Sequence, residues 1–163
     1  MRKSFHRSLG LVVLLTLGCG IEARAQDTAA AAAAAMPSQG GAQSLYKRLG
    51  GYDALAAVTD EFIGRLVTDK SLGRFFTGAS DDSKKRIRQL VVDQLCAATG
   101  GPCLYTGRSM KTVHTGLGIT EEDWNVAVKH LTDTLDKFKV PKPEQDELFK
   151  IVGTLKPDIV EKK

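Results

Sequence analysis

Apolar side chains recur three or four residues apart in four long segments of this chain, which is the spacing of one face of an α-helix. No segment alternates apolar and polar residues in the way that half-buried β-strands do. The pattern predicts an all-α fold in which several helices pack at large angles around a long central loop. In chain order, the apolar stripes are Leu55, Val58, Phe62 and Leu66; Ile87, Leu90, Val91, Leu95 and Ala98; Trp124, Val128, Leu131, Leu135 and Phe138; and Leu148, Ile151, Val152, Leu155 and Ile159.

Polar residues and prolines predict where these helices begin and end. The second helix is predicted to start with Asp81 or Asp82 as its N-cap and to run to Thr99. Thr120 is predicted to cap the third helix, because acidic residues follow it directly. Pro157 is predicted to kink the last helix or to loosen its end.

The first 25 residues have the pattern of a secretory signal peptide. A basic start, Met1–Arg7, precedes the apolar run Leu9–Gly18, and the small-x-small site Ala23-Arg24-Ala25 follows. The run is too short to remain as a membrane span. Cleavage after Ala25 predicts a periplasmic or secreted protein. The alternative is an imperfect lipoprotein box that ends at Cys19, whose lipidation would tether the protein to a membrane.

Residues 26–43 form an alanine-rich leader, predicted to be a disordered tether, and residues 44–160 form the predicted folded domain. Of the 23 basic and 19 acidic residues in the whole chain, residues 1–25 hold four and one. The remainder therefore carries 19 basic and 18 acidic residues, a net charge of +1. This balance gives no electrostatic basis for nucleic-acid binding.

Cysteine use fits an exported protein. Cys96 and Cys103 remain after either processing route, and they flank the turn residues Gly100-Gly101-Pro102. In an oxidising compartment we expect them to form a disulfide. A zinc site would need more cysteine or histidine ligands nearby.

The segment Leu104–Ile119 contains the candidate functional residue His114. This histidine ends a short predicted helix, and the helix breakers Gly116 and Gly118 follow at once. A side chain at such a helix end can face a pocket, and histidine is the commonest protein ligand for haem iron. The chain has no Cys-x-x-Cys-His motif, so c-type haem attachment is not expected.

Residues 45–160 resemble the group I truncated haemoglobins, which are short bacterial globins. The motifs that carry the resemblance occur in the family's order and spacing: LYKRLGG (Leu45–Gly51), DEF before Ile63, the pair Phe75-Phe76, ATGGP (Ala98–Pro102), YTGRSMKTVHTGLGI (Tyr105–Ile119) and HLTDTL (His130–Leu135). The resemblance implies a two-over-two helical sandwich that encloses a haem. It also implies reversible binding of a small diatomic gas, O₂ first with NO or CO as alternatives, in an oxygen-carrier type of role.

Matching positions assign roles to individual residues. His114 matches the proximal histidine, the protein's iron ligand, and Phe76 matches the phenylalanine on the haem face. Met110 matches a haem-packing position, whereas His130 matches a helix position that does not bind iron. The implied cofactor is non-covalent haem b. The implied haem-binding residues are His114, Phe76, Ile63, Ile87, Val91, Leu95, Tyr105, Met110, Lys111 and Ile119.

The distal side departs from the family pattern. Ile63 stands where the family often has a tyrosine, and Ile87 and Val91 stand where it often has glutamines. A hydrogen-bond donor beside bound gas slows its escape, so we expect fast O₂ release from a pocket without one. Gln94, about one turn further along the helix, is the nearest polar candidate, and Tyr105 is expected at the haem edge.

Two other functions fit parts of the pattern. The first is a haem enzyme, either a nitric oxide dioxygenase or a peroxidase-like protein served by an unidentified electron donor. No distal acid–base residue and no reductase domain are recognisable in the sequence, which favours gas binding. The second is an interaction module without haem. His114 disfavours this, because a haem-free core would more naturally place an apolar residue there.

Overall fold

The computed structural model describes residues 43–162, and in this range the chain forms helices and no β-strand. A single isolated bridge, between Thr120 and Lys162, is the β-type contact in this range. No helix in the described range is long and apolar enough to cross a membrane. The predicted signal peptide and residues 26–42 of the leader lie outside the described range. The helices are α1 Leu45–Arg48, α2 Gly51–Thr68, a 3₁₀-helix Gly73–Phe76, α3 Asp81–Ala98, α4 Met110–His114, α5 Glu121–Lys137, α6 Lys142–Gly153 and α7 Lys156–Ile159.

Helix α2 is at the centre of the packing, where it contacts α1, the 3₁₀-helix, α3 and α5. Helix α1 also contacts α6, and α4 contacts α7. A buried apolar cluster forms the core between these helices, and Phe62 and Leu95 pack against it from its edge. The cluster consists of Leu45, Val58, Leu131, Leu135 and Leu148.

Helix α3 has apolar residues on two faces, and the face that the structure buries is not the predicted stripe. Val92 and Cys96 are fully buried, at 0% exposure, whereas Ile87 is 38% exposed and Ala98 is exposed. Leu95 lies between the two faces and reaches the core cluster. Spacing alone could not distinguish the faces, because both carry aliphatic side chains. The predicted stripe is therefore left mostly half-exposed.

The structure tests three of the predicted helix ends. Ser80, rather than Asp81 or Asp82, is the N-cap of α3, since its hydroxyl accepts from the Ser83 N–H at 3.2 Å. Thr120 caps α5 as predicted, and it forms a reciprocal capping box with Asp123. Pro157 does not kink a continuous helix. It lies in the first turn of the separate helix α7, where a missing N–H is tolerated.

Phe138 was predicted to extend the buried seam of α5, but it is 41% exposed. Helix α5 ends at Lys137, and Lys139 adopts a left-handed backbone conformation with φ of 56°. Phe138 is the C-cap of α5, where its N–H still donates to the Thr134 carbonyl at 3.1 Å. The chain turns away directly after it, and the buried cluster extends along this helix only as far as Leu135.

Candidate functional site

His114 is the last residue of α4, and its ring is half-buried. Its Nδ1 lies 2.8 Å from the backbone carbonyl oxygen of Met110, one turn earlier in the helix. A carbonyl only accepts, so in the neutral ring Nδ1 carries the proton and Nε2 keeps its lone pair. Within residues 43–162, Nε2 makes no hydrogen bond. A histidine that binds a metal typically has one nitrogen fixed in this way and the other free.

Local hydrogen bonds define this short helix. Ser109 caps its start, because the Ser109 hydroxyl accepts from the Thr112 N–H at 3.2 Å. At its end, the Thr115 N–H and hydroxyl both donate to the Lys111 carbonyl, at 2.9 and 2.6 Å. A helix of five residues is unstable alone, so α4 depends on its contact with α7 for its position.

The predicted distal residues lie on α2 and α3, which pack against each other. Ile63 on α2 and Val91 on α3 are half-buried, and Ile87 is more exposed. Positions 87, 91, 94 and 98 follow each other at helical spacing, so they form one stripe on the side of α3 away from Val92. Gln94 is half-buried on this stripe, and its amide makes no hydrogen bond within the described residues.

Phe76 ends the 3₁₀-helix, which an ion pair between the exposed Arg74 and the buried Asp123 fastens to α5. The Nη2 atom of Arg74 lies 2.8 and 2.7 Å from the two carboxylate oxygens of Asp123, and Asp123 is only 5% exposed. Burial by itself raises the pKa of Asp123, but hydrogen bonds from Thr120 and Arg74 outweigh it and lower that pKa. Phe76 itself is half-buried, as is Phe75, whose ring lies 4.3 Å from the Arg74 guanidinium.

The other predicted haem-contacting residues surround α4. Met110 and Lys111 share this helix with His114, the first half-buried and the second exposed. Ile119 is buried, at 8% exposure. The hydroxyl of Tyr105 donates to the Arg108 carbonyl at 2.7 Å, so its hydrogen bond is made within its own loop.

The predicted disulfide is present between Cys96 and Cys103, with a Cα–Cα distance of 5.7 Å. It ties α3, which carries the predicted distal residues Ile87 and Val91, to the loop that leads to α4. Gly101 is required in this turn, because a Cβ atom there would lie 2.7 Å from the Cys96 sulfur and 2.6 Å from the Tyr46 ring.

His130 occupies a different region, where it is half-buried on α5. Its Nε2 lies 2.8 Å from a carboxylate oxygen of Asp69, whose other oxygen accepts from the Ser71 hydroxyl at 2.7 Å. The hydrogen bond from the Ser71 hydroxyl, followed by the one from His130, contributes most to holding the pKa of Asp69 well below its usual range. A surface groove of about 460 Å³ is lined by these residues and includes none of the predicted haem-contacting ones.

The family model described as "Bacterial-like globin" matches residues 44–161. The chain belongs to this globin family. A Group 1 truncated hemoglobin, GlbN, from Mycolicibacterium paratuberculosis is 38% identical over 116 residues, covering 71% of this chain and 83% of the relative. Group 1 truncated hemoglobin LI410 from Chlamydomonas moewusii is 28% identical, covering 86% and 81%.

Solved structures give the same fold for this globin. Truncated hemoglobin from Tetrahymena pyriformis superposes with a TM-score of 0.66 at 24% identity, covering 72% of this chain and 98% of that one. The 2/2 hemoglobin from Synechococcus sp. PCC 7002, in the cyanomet state and with covalently attached heme, gives 0.66 at 28% identity with the same coverage. The predicted two-over-two truncated-globin fold is confirmed, and with it membership of a family that binds small gases through haem iron.

The residues of this globin fit a haem on two counts. His114 presents a free ring nitrogen whose tautomer is fixed by Met110. Helix α3 leaves a largely apolar stripe half-exposed, although Val92 and Cys96 on another face of the same helix are fully buried. A flat apolar cofactor would cover such a stripe and remove it from water.

Sequence reasoning missed two contacts near this site. One is the Arg74–Asp123 pair that holds the turn carrying Phe76. The other joins the Glu161 carboxylate to the loop after His114. Neither pair is close in sequence, and no local pattern in the chain indicates them.

Proposed function

We propose that this globin is an exported protein that holds non-covalent haem b through His114 and reversibly binds a small diatomic gas, with O₂ the first candidate. The observation that carries the proposal is the hydrogen bond between His114 Nδ1 and Met110, which leaves Nε2 available to iron. When bound, haem supplies an iron with an open position for the gas. The chain's own contribution is to orient the ligand ring and to surround the cofactor with apolar groups.

Two features support non-covalent binding. Both cysteines in residues 43–162 are joined in the disulfide, so neither offers a thiol to the porphyrin. His130, the other histidine in that range, is engaged by Asp69 in the separate groove. The covalently attached heme of the Synechococcus relative is the reason to test this point directly. Extraction into acidic organic solvent removes non-covalent haem and leaves covalent haem on the protein.

The distal residues favour transient gas binding over storage. Ile63 and Val91 are aliphatic, so they exclude water and offer no hydrogen-bond donor. Gln94 is the polar side chain on the same stripe of α3, about one turn beyond Val91. Release of O₂ is therefore expected to be fast unless the Gln94 amide reaches the gas.

Export is supported by the sequence of residues 1–25 and by the disulfide, which is typical of oxidising compartments. The mass of the mature protein tests it. Cleavage after Ala25 predicts a polypeptide that begins at Gln26, whereas the lipoprotein alternative predicts a lipid-modified Cys19 at the start. A cytoplasmic protein that still carries residues 1–25 would contradict both routes.

A visible spectrum of purified protein, titrated with haem, tests the central proposal. The wild-type protein should give a Soret band and a ferrous spectrum of a histidine-bound iron. His114→Gly should lose haem or show an altered spectrum that free imidazole restores. The matched control is His130→Gln, which changes the other described histidine and should keep the wild-type spectrum.

Two results would contradict the proposal. No Soret band in the wild type after haem addition would leave only a haem-free interaction role. An unchanged ferrous spectrum in His114→Gly would show that another group binds the iron.

A further inference from the structure

The C-terminal end of the chain returns to the loop that follows His114. The two carboxylate oxygens of Glu161 accept hydrogen bonds from the backbone N–H groups of Gly116 and Gly118, at 2.7 and 2.6 Å. These two amides flank Leu117, whose own N–H donates to the His114 carbonyl at 3.1 Å. One side chain therefore binds the loop directly behind the iron-ligand candidate.

The loop needs such a partner, because both of its glycines adopt left-handed conformations. The φ angles are 88° at Gly116 and 68° at Gly118. Glycine has the largest backbone freedom to lose on ordering, so a loop built on two glycines is costly to fix in one conformation. A carboxylate that accepts from both amides restricts this freedom across the turn.

Glu161 is itself held in place, although it is exposed. Its N–H and that of Lys162 both donate to the Ile119 carbonyl, at 2.9 and 3.2 Å. The Lys162 carbonyl in turn accepts from the Glu121 N–H at 3.1 Å. The backbone of Glu161 and Lys162 is thus bonded to Ile119 and Glu121, at and just before the start of α5. These bonds distinguish Glu161 from an ordinary surface charge.

We propose that Glu161 is a positioning residue for the iron ligand, acting by fixing the Gly116–Gly118 turn and thereby the ring of His114. The proposal rests on the proposed role of His114 as that ligand. Glu161 touches neither iron nor gas; it acts through the loop. The hydrogen bonds from Gly116 and Gly118 also lower the pKa of Glu161, so the group is a carboxylate at neutral pH.

The loss of this contact should loosen the ligand without unfolding the domain. Substitution of outer-shell partners of metal ligands typically costs 10- to 100-fold in metal affinity. Glu161 lies one step further out, so we expect Glu161→Ala to release haem about 10-fold faster, at the lower end of that range. Glu161→Gln retains one acceptor oxygen and should give an intermediate rate.

Two measurements test the proposal on the full chain. In the haem-free protein, amide hydrogen exchange at Gly116 and Gly118 should be faster in Glu161→Ala than in the wild type. In the ferrous haem protein, resonance Raman should show a broadened or shifted iron–histidine stretching band. The matched control is Asp158→Asn on the neighbouring helix α7. The Asp158 carboxylate is exposed and makes no hydrogen bond within the described residues.

The results separate this proposal from the one on which it rests. The wild type could bind haem through His114 while the Glu161 variants match it in amide hydrogen exchange, in the iron–histidine stretching band and in the rate of haem release. That result would overturn the role of Glu161 alone. A wild type that binds no haem would overturn the proposed function as well. An equal effect of Asp158→Asn would show a general influence of C-terminal charge and would also overturn the proposal.

Discussion

Breaking the Cys96–Cys103 disulfide should destabilise the domain by an amount that the size of its loop sets. The cysteines are seven positions apart, so the bond closes a loop of eight residues from the first to the second. The chain-entropy model gives about 2.5 kcal/mol at 25 °C for a loop of this length. The folded range of 120 residues has an unfolding entropy of about 0.25 kcal/mol/K near 60 °C. The loss should therefore lower Tm by about 10 °C.

The informative variant is Cys103→Ala. Cys103 is half-buried, whereas Cys96 is fully buried and, as a free thiol, packs like a small apolar side chain. This choice breaks the bond without placing a new polar atom in the core. Thermal unfolding of the haem-free wild type and of the variant should be followed by circular dichroism, each with and without a reductant.

The variant should be insensitive to reductant and should melt close to the reduced wild type, which controls for side effects of either treatment. Mass spectrometry after alkylation must show that the wild-type bond is cleaved. If the reduced wild type, with both thiols alkylated, melts at the same temperature as the oxidised protein, the loop-entropy reasoning is wrong. Two free thiols in oxidised protein would show that the bond does not form.

Two further predictions concern the distal pocket and the Asp69–His130 pair. Ile63→Tyr should slow O₂ release 10- to 100-fold, since a hydrogen bond to a ligand that carries negative charge contributes about 1.5–3 kcal/mol. Stopped-flow measurement of O₂ dissociation from the wild type and the variant tests this. Slow release in the wild type would reveal a donor such as Gln94. Asp69 has a pKa lowered by folding, so its contribution to stability is complete above its unfolded pKa and is lost as pH falls through the folded value. Asp69→Asn should therefore lower Tm at pH 7, and the difference in Tm between variant and wild type should shrink below about pH 4. A difference in Tm that does not depend on pH would contradict this.

The helices could be predicted from the sequence because their signals are local. The stripes and breakers predicted the first three long helices to within a few residues, and the position of His114 at the end of a short helix followed from Gly116 and Gly118. The last stripe was predicted as one helix to Ile159, but it is divided between α6, which ends at Gly153, and α7. The exact N-cap of α3 could not be predicted, since the four consecutive residues 80–83 are all serine or aspartate, which are good N-caps.

Two aspects of the site could not be predicted. The two apolar faces of α3 differ only in what packs against them, so Val92 and Val91 are indistinguishable until α2 is placed. The contacts of Glu161 with Gly116 and Gly118 span 45 and 43 residues, and no periodicity or motif extends over that distance. Motif resemblance could identify the iron-ligand candidate but not the side chain that holds its loop.

The carboxylate of Asp123 connects two elements that could otherwise vary separately in evolution. It completes the capping box that starts α5, and it also anchors Arg74 and the turn that presents Phe76. A lineage that replaces Asp123 changes the start of a core helix and the support of the ring that is predicted to face the haem in one step. Compensation at position 74 alone would leave the Thr120 N–H without its acceptor, although the Thr120 hydroxyl would still cap the helix. A new acceptor for Thr120 alone would leave the guanidinium without its partner. One compensating substitution therefore restores only one of the two contacts.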